Sequence, residues 1–314
     1  MFSKTHHATK TSEVCLKTFK KDFRSFLILI LALSLSACGS LFGTPSTPTA
    51  LAPTLTPEPP TATPPPLAAT VNGEYITKAE FESEVGRYQS AQTALGKTVA
   101  DADARKTVLD DLIAQVLLAQ AARAGGFTLT EAGLQSRLDA LASKTGGADA
   151  LAKWESDHGY DDASFRVALK RSAEAAWMRD KIIANVPLAV EQSHIQQILL
   201  YNATDAQTVL DQLKAGADFA QMAAQYDHSQ VPHGELGWVP RGYLLDAKIE
   251  EAAFTLQVGA YSDVIASPAG FHIIKVLERA EHALTPDALL TLQEQALKDW
   301  VSQQRDKSAI TLAQ

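Results

Sequence analysis

Residues 270–276 are Gly270-Phe271-His272-Ile273-Ile274-Lys275-Val276, a stretch whose pattern fixes the type of domain around it. Apolar residues that alternate and crowd in this way form a strand pressed against a core. His272 stands among them. A histidine in that setting either satisfies its ring nitrogens within the core or faces a substrate, and the stretch alone leaves both open.

Upstream, at Val190, a matching pattern begins. Ile195, Gln197 and Leu199 fall on one face of a period-two segment, and His194, Gln196 and Ile198 on the other. A helix through Val209, Leu210 and Leu213 closes at Gly216, and Asp218 is placed to cap a second helix over Phe219–Tyr226. A loop, a short helix over Ala247–Phe254 and a turn at Val258-Gly259 lead into the strand that carries His272. Strands at both ends with helices between predict a compact α+β domain over residues 190–279.

On either side the period changes to that of helices. Thr77 and Glu80 offer a capping box ahead of Phe81, Val85 and Tyr88. Val108/Leu109, Leu112/Ile113 and Val116/Leu117 recur every fourth residue until Gly125-Gly126, and Thr128 with Glu131 repeats the capping signal before Leu134, Leu138 and Leu141. A last long helix through Phe165, Leu169 and Ile183 stops before Pro187. These predict an all-α lobe over residues 68–187. Beyond the α+β domain, Thr285-Pro286 starts a further helix with Leu289, Leu292, Ala296 and Trp300 on one stripe. Residues 285–312 are therefore expected to complete the helical lobe, making it discontinuous, with the α+β domain inserted.

The N-terminal 67 residues belong to neither. Lys17, Lys20, Lys21 and Arg24 precede the apolar run Phe26–Ala37, which is too short for the ~20 residues of a spanning helix. Residues 1–37 have the layout of a secretory signal peptide. They close on Leu35-Ser36-Ala37, which with the following Cys38 resembles a bacterial lipobox, so that Cys38 is expected to carry lipid; an ordinary signal peptide with a chance cysteine is the alternative. Cys15 lies in the segment to be removed, so the mature chain forms no internal disulfide. Residues 39–67 hold nine of the 14 prolines and seven threonines, with Glu58 as the one charge. Such a segment buries no core, and in polyproline II form it reaches on the order of 80–90 Å. Residues 38–67 thus read as a lipidated cysteine and tether. Loss of residues 1–37 removes six of 28 Lys/Arg and two of 36 Asp/Glu, leaving a net charge of −12. An acidic body argues against nucleic acid, whose phosphates demand clustered positive charge.

The blocks LKAGADFAQMAAQY, GELGW, IEEAAFTLQVG and GFHIIKV, in this order and at these distances, resemble the parvulin-type (PpiC) peptidyl-prolyl cis-trans isomerase domain over roughly Val190 to Arg279. The flanking lobe, from VNGEYITKAEF onward with the final helix, looks like the chaperone core of secreted SurA- and PrsA-type foldases. The resemblance implies a parvulin-like β-α-β domain and a site built from His272, a supporting Ser267, and Gln197 where the family has a second histidine. His194 is an odd number of positions away, so its side chain belongs to the opposite face. Asp227 is the candidate for the family's acidic or thiol residue, in a loop shorter than usual. Leu236, Leu245 and Ile249 match the wall that holds the prolyl ring. His228 and His233 in that loop lack a third placed ligand, so no metal is expected, nor any cofactor.

The implied chemistry demands little more. Rotation about an X-Pro amide is opposed by conjugation, with a barrier of ~18–20 kcal/mol. Twisting returns charge from the carbonyl oxygen to nitrogen, so the transition state is less polar than the planar amide. A dry pocket that favours the twisted form accelerates rotation by differential binding. The resemblance implies a lipid-anchored, extracytoplasmic isomerase and chaperone of the bacterial envelope, acting on unfolded or partly folded exported proteins. A holdase whose isomerase-like domain is weak or silent is the alternative, and Gln197 favours it. A structural surface lipoprotein with one dedicated partner is the third.

Overall fold

The alternation in GFHIIKV is realised as a strand in a computed structural model that describes residues 65–229 and 231–313. The signal-like segment, Cys38 and the tether up to residue 64 lie outside the described residues. The rest divides into two units, one of residues 65–176 with 307–313 and one of residues 177–306.

In the first unit, strands β1 (Leu67–Val71) and β2 (Glu74–Thr77) form a hairpin, and β7 (Ile310–Leu312) pairs antiparallel with β1 on its other side. Helices α1 (Lys78–Ala94), α2 (Asp101–Ala124), α3 (Glu131–Thr145), α4 (Ala148–Asp157) and the larger part of α5 (Asp162–Ala184) complete it. The capping box at Thr77 forms, its hydroxyl accepting the Glu80 N–H at 3.1 Å. The second capping signal was misplaced: Thr130, not Thr128, caps α3, accepting from Gly133 N–H at 3.2 Å. Ala69, Val71 and Ile76 from the sheet pack in one core with Val108, Leu112, Ile113 and Val116 of α2. The expectation of an all-α lobe is corrected here. The hairpin strands are only four and five residues long, and the third partner comes from the far end of the chain.

The second unit centres on a four-stranded antiparallel sheet in the order β4-β3-β6-β5, with β3 at Ala189–Leu200, β4 at Glu235–Pro240, β5 at Ile265–Ser267 and β6 at Gly270–Ala283. Helices α6 (Ala203–Lys214) and α7 (Phe219–Tyr226) cover one face, where Ile198, Leu200 and Ile273 meet Val209, Leu213, Phe219 and Met222. Helix α8 (Ala247–Thr255) covers the other, where Ile195, Ile274 and Val276 meet Ile249, Ala253 and Phe254. Burial on both faces explains the unbroken apolar crowding of the strands. Each fully buried isoleucine contributes roughly 1.5–3 kcal/mol.

Helix α9 (Pro286–Lys307) starts at the foreseen cap, Thr285 accepting from Ala288 N–H at 3.3 Å. Its placement differs from the expectation. All but its last residue groups with the second unit, and Leu292 lies 3.2 Å from where a Cβ on Gly242 would stand. What returns to the first unit is β7, together with the Ala309 N–H donated to Asn72 Oδ1 at 2.9 Å. An apolar stripe states that a helix has a partner without stating which one.

Candidate active site

The site sits where the two central strands run side by side. The register places Leu199 opposite His272 and Gln197 opposite Ile274, so Gln197 and His272 are diagonal neighbours on the α8 face. Both are buried. His272 Nδ1 donates to Gln197 Oε1 at 3.1 Å, which leaves Nε2 to accept from the Ser267 hydroxyl at 2.8 Å. Ala269 N–H in turn donates to Ser267 Oγ at 3.0 Å. The chain of bonds is satisfied by a neutral imidazole. Burial pushes the His272 pKa below the ordinary histidine value, opposed by the charges of Asp246 and Asp227.

Asp227 is adjacent but differently engaged. It follows α7, and its Oδ1 accepts the Leu199 N–H at 2.7 Å while Oδ2 accepts the Ser229 hydroxyl. His228 N–H donates to Leu199 O at 2.8 Å, so the post-helix loop closes the edge of β3 beyond the end of its pairing with β4. Pro232–Gly234 form a single 3₁₀ turn on the same edge, and Gln196 Nε2 donates to His233 O at 2.8 Å. Gly234 has φ +65°, and a Cβ there would collide with the Gln197 carbonyl. The short loop therefore fits only because this residue is glycine.

Of the apolar wall, Ile249 belongs to the α8-side core and Leu236 packs against it. Leu245 does not join them: it is 94% exposed, and Tyr243 and Leu244 make the packing contacts. His194 lies off the site, as its odd offset demanded. Its Nε2 meets Glu235 Oε1, and its ring stacks on Trp238 with centroids 5.1 Å apart. Among the described residues no group of three or more His, Cys, Asp or Glu is placed to hold a metal ion.

Sequence reasoning missed Asp246 as a neighbour of the imidazole. Its signal was present, since an Asp immediately before the run AKIEEAAF reads as an N-cap, and it does accept from Lys248 N–H at 2.9 Å and Ile249 N–H at 3.2 Å. That the charge of this capped helix end acts on His272 is a matter of tertiary placement.

Comparison with known proteins follows the same division. Residues 199–278 match the family model described as PPIC-type PPIASE domain, and residues 61–147 that of the SurA-like N-terminal domain. The chain is 33% identical over 144 residues to Chaperone SurA of Methylobacillus flagellatus, covering 40% of this chain and 33% of the relative. It is 36% identical over 97 residues to Foldase protein PrsA of Halalkalibacterium halodurans, covering 30% and 28%. A longer alignment, 27% identical over 243 residues, covers 67% of this chain and 72% of Foldase protein PrsA of Caldanaerobacter subterraneus. The first two matches span about a third of those relatives' own length. The chain thus carries a PPIC-type peptidyl-prolyl isomerase domain, the unit that holds His272, together with a SurA-like N-terminal domain.

Proposed function

We propose that this protein is a membrane-anchored peptidyl-prolyl cis-trans isomerase and chaperone that assists the folding of exported proteins. The observation that carries the reading is the buried Gln197–His272–Ser267 chain of hydrogen bonds beside Ile249 and Leu236 in an isomerase-family domain. A prolyl ring enters against Leu236 and Ile249, and the exposed Leu245 is covered when the peptide binds. His272, Gln197 and Ser267 hold the polar side of the pocket in one geometry. Asp227 fixes the backbone of Leu199 and sets the local charge. The planar amide loses solvation there, and the less polar twisted amide loses less, which lowers the barrier. Clients are unfolded or partly folded exported chains with X-Pro bonds. The lipid on Cys38 and the Pro/Thr-rich tether place the two domains outside the cytoplasmic membrane, with residues 68–187 as the chaperone lobe and 190–279 as the isomerase domain.

The test is the rate of cis-trans exchange of a Leu-Pro tetrapeptide with the purified chain, wild type against His272→Ala. Catalysis that falls roughly tenfold or more in the variant is expected. A second reading, a holdase with a silent isomerase domain, is favoured by Gln197 at the family's histidine position. It gains the field if the wild-type chain gives no rate above the uncatalysed exchange.

A further inference from the structure

Two carboxylates flank the His272 site, each fixed by backbone N–H groups. Asp227 is tied to Leu199, the residue directly across from His272, at 2.7 Å. Asp246 is tied to Ile249 of the apolar wall at 3.2 Å and to Lys248 at 2.9 Å. They come from different elements, the end of α7 and the start of α8. Neither is free to swing away, because each side chain terminates a helix or seals a strand edge.

Both carboxylates oppose the effect of burial on the imidazole pKa. Three cations of this unit, Arg241, Arg279 and Lys275, are engaged with other groups. Arg241 stacks over Phe254 at 4.2 Å, and Arg279 donates to the Ala253 and Leu256 carbonyls at 3.0 Å each. Lys275 lies over Phe219, on the α6–α7 face. Lys248 follows Asp246 and is exposed. Two fixed negative charges at the margin of the site attract a cationic group of an incoming peptide, over a range set by the ionic strength.

We infer that the site selects its X-Pro substrates by charge, favouring a Lys or Arg beside the proline and disfavouring a Glu or a phosphorylated residue. This deepens the isomerase reading and rests on it. Both carboxylates act as specificity determinants on top of whatever turnover the pocket supplies. Client segments with basic residues next to proline are then the preferred class.

The experiment measures kcat/KM of the purified chain on the peptides Ala-Lys-Pro-Phe, Ala-Leu-Pro-Phe and Ala-Glu-Pro-Phe at low and high salt. The expected order is Lys above Leu above Glu, with a Lys-to-Glu ratio on the order of tenfold at low ionic strength. At about 0.5 M salt that ratio should shrink to about twofold, because screening acts within a few ångströms. Asp246→Asn keeps an N-cap of equal quality and removes the charge, so the ratio at low salt should fall to about threefold. If the variant is poorly folded by circular dichroism, the salt dependence of the wild type decides alone. Equal rates on the Lys and Glu peptides, or a preference untouched by salt, overturn this inference and leave the isomerase reading standing. No catalysis on any of the three overturns the isomerase reading and this inference with it.

Discussion

At His272 both ring nitrogens are engaged, one with Gln197 and one with Ser267, and the ring is buried. Gln197 keeps an acceptor where the family resemblance implies a histidine, and it cannot ionise. Gln197→His should therefore raise isomerase kcat/KM by a few-fold to tenfold, equal to roughly 1 kcal/mol of barrier. A rate unchanged or lowered in a folded Gln197→His variant would show that the glutamine is the better partner here. The lowered pKa of His272 has a consequence for stability. The unfolded chain binds the proton more readily than the folded one, so stability from this group is full above the ordinary value of about 6.5 and is lost as pH falls through the lowered folded value. Denaturant unfolding of wild type and His272→Gln between about pH 7.5 and 5, a window that spans the ordinary histidine value of about 6.5, checks this. The wild type should lose stability more steeply on acidification, and parallel curves would contradict it.

Among the elements, the loop from Asp227 to Gly234 decides how the edge of β3 is sealed. Gly234 stands at φ +65° with no room for a Cβ against the Gln197 carbonyl. Gly234→Ala should cost at least ~2 kcal/mol, combining left-handed strain with the steric conflict, and should lower activity by shifting the backbone that carries Gln197. Thermal unfolding and the exchange assay measure the two effects. A variant as stable as wild type would mean that the loop gives way without disturbing the strand. Helix α9 teaches the complementary lesson. Its stripe through Leu289, Leu292 and Trp300 was legible, yet Leu292 approaches Gly242 of the second unit, and three residues of β7 make the return to the first.

For the whole molecule, the proposed function assigns separable tasks to the two units. On that proposal client binding should survive loss of isomerisation, since the pocket would take one X-Pro unit at a time while client segments would bind the helical lobe. In a Leu245→Ala, Ile249→Ala variant that remains folded, prolyl exchange should fall roughly tenfold or more while suppression of client aggregation stays within about twofold of wild type. Loss of both together would unite the tasks in one surface. Cys38 is expected at the mature N-terminus with lipid attached, which anchors a chain whose described residues include no helix long and apolar enough to cross a membrane. Mass spectrometry of the native N-terminus checks it, and an unmodified start at another residue would remove the anchor.

Much of the architecture was readable because secondary structure follows local periodicity. The alternation around His272 and Ile195, the caps at Thr77, Asp218 and Thr285, and the spacing of the family blocks required nothing beyond neighbouring residues. His194 could be set aside by parity alone, for a strand sends odd and even residues to opposite faces. The remaining features depend on partners distant in the chain. Register made Gln197 and His272 diagonal neighbours, and packing left Leu245 exposed while Tyr243 and Leu244 took up the contacts. The placement of α8 let the charge of Asp246 act on the imidazole, and β7 found β1 across more than two hundred residues. Local sequence states which face of an element is apolar or charged; which other element meets that face is fixed by the joint packing of all of them.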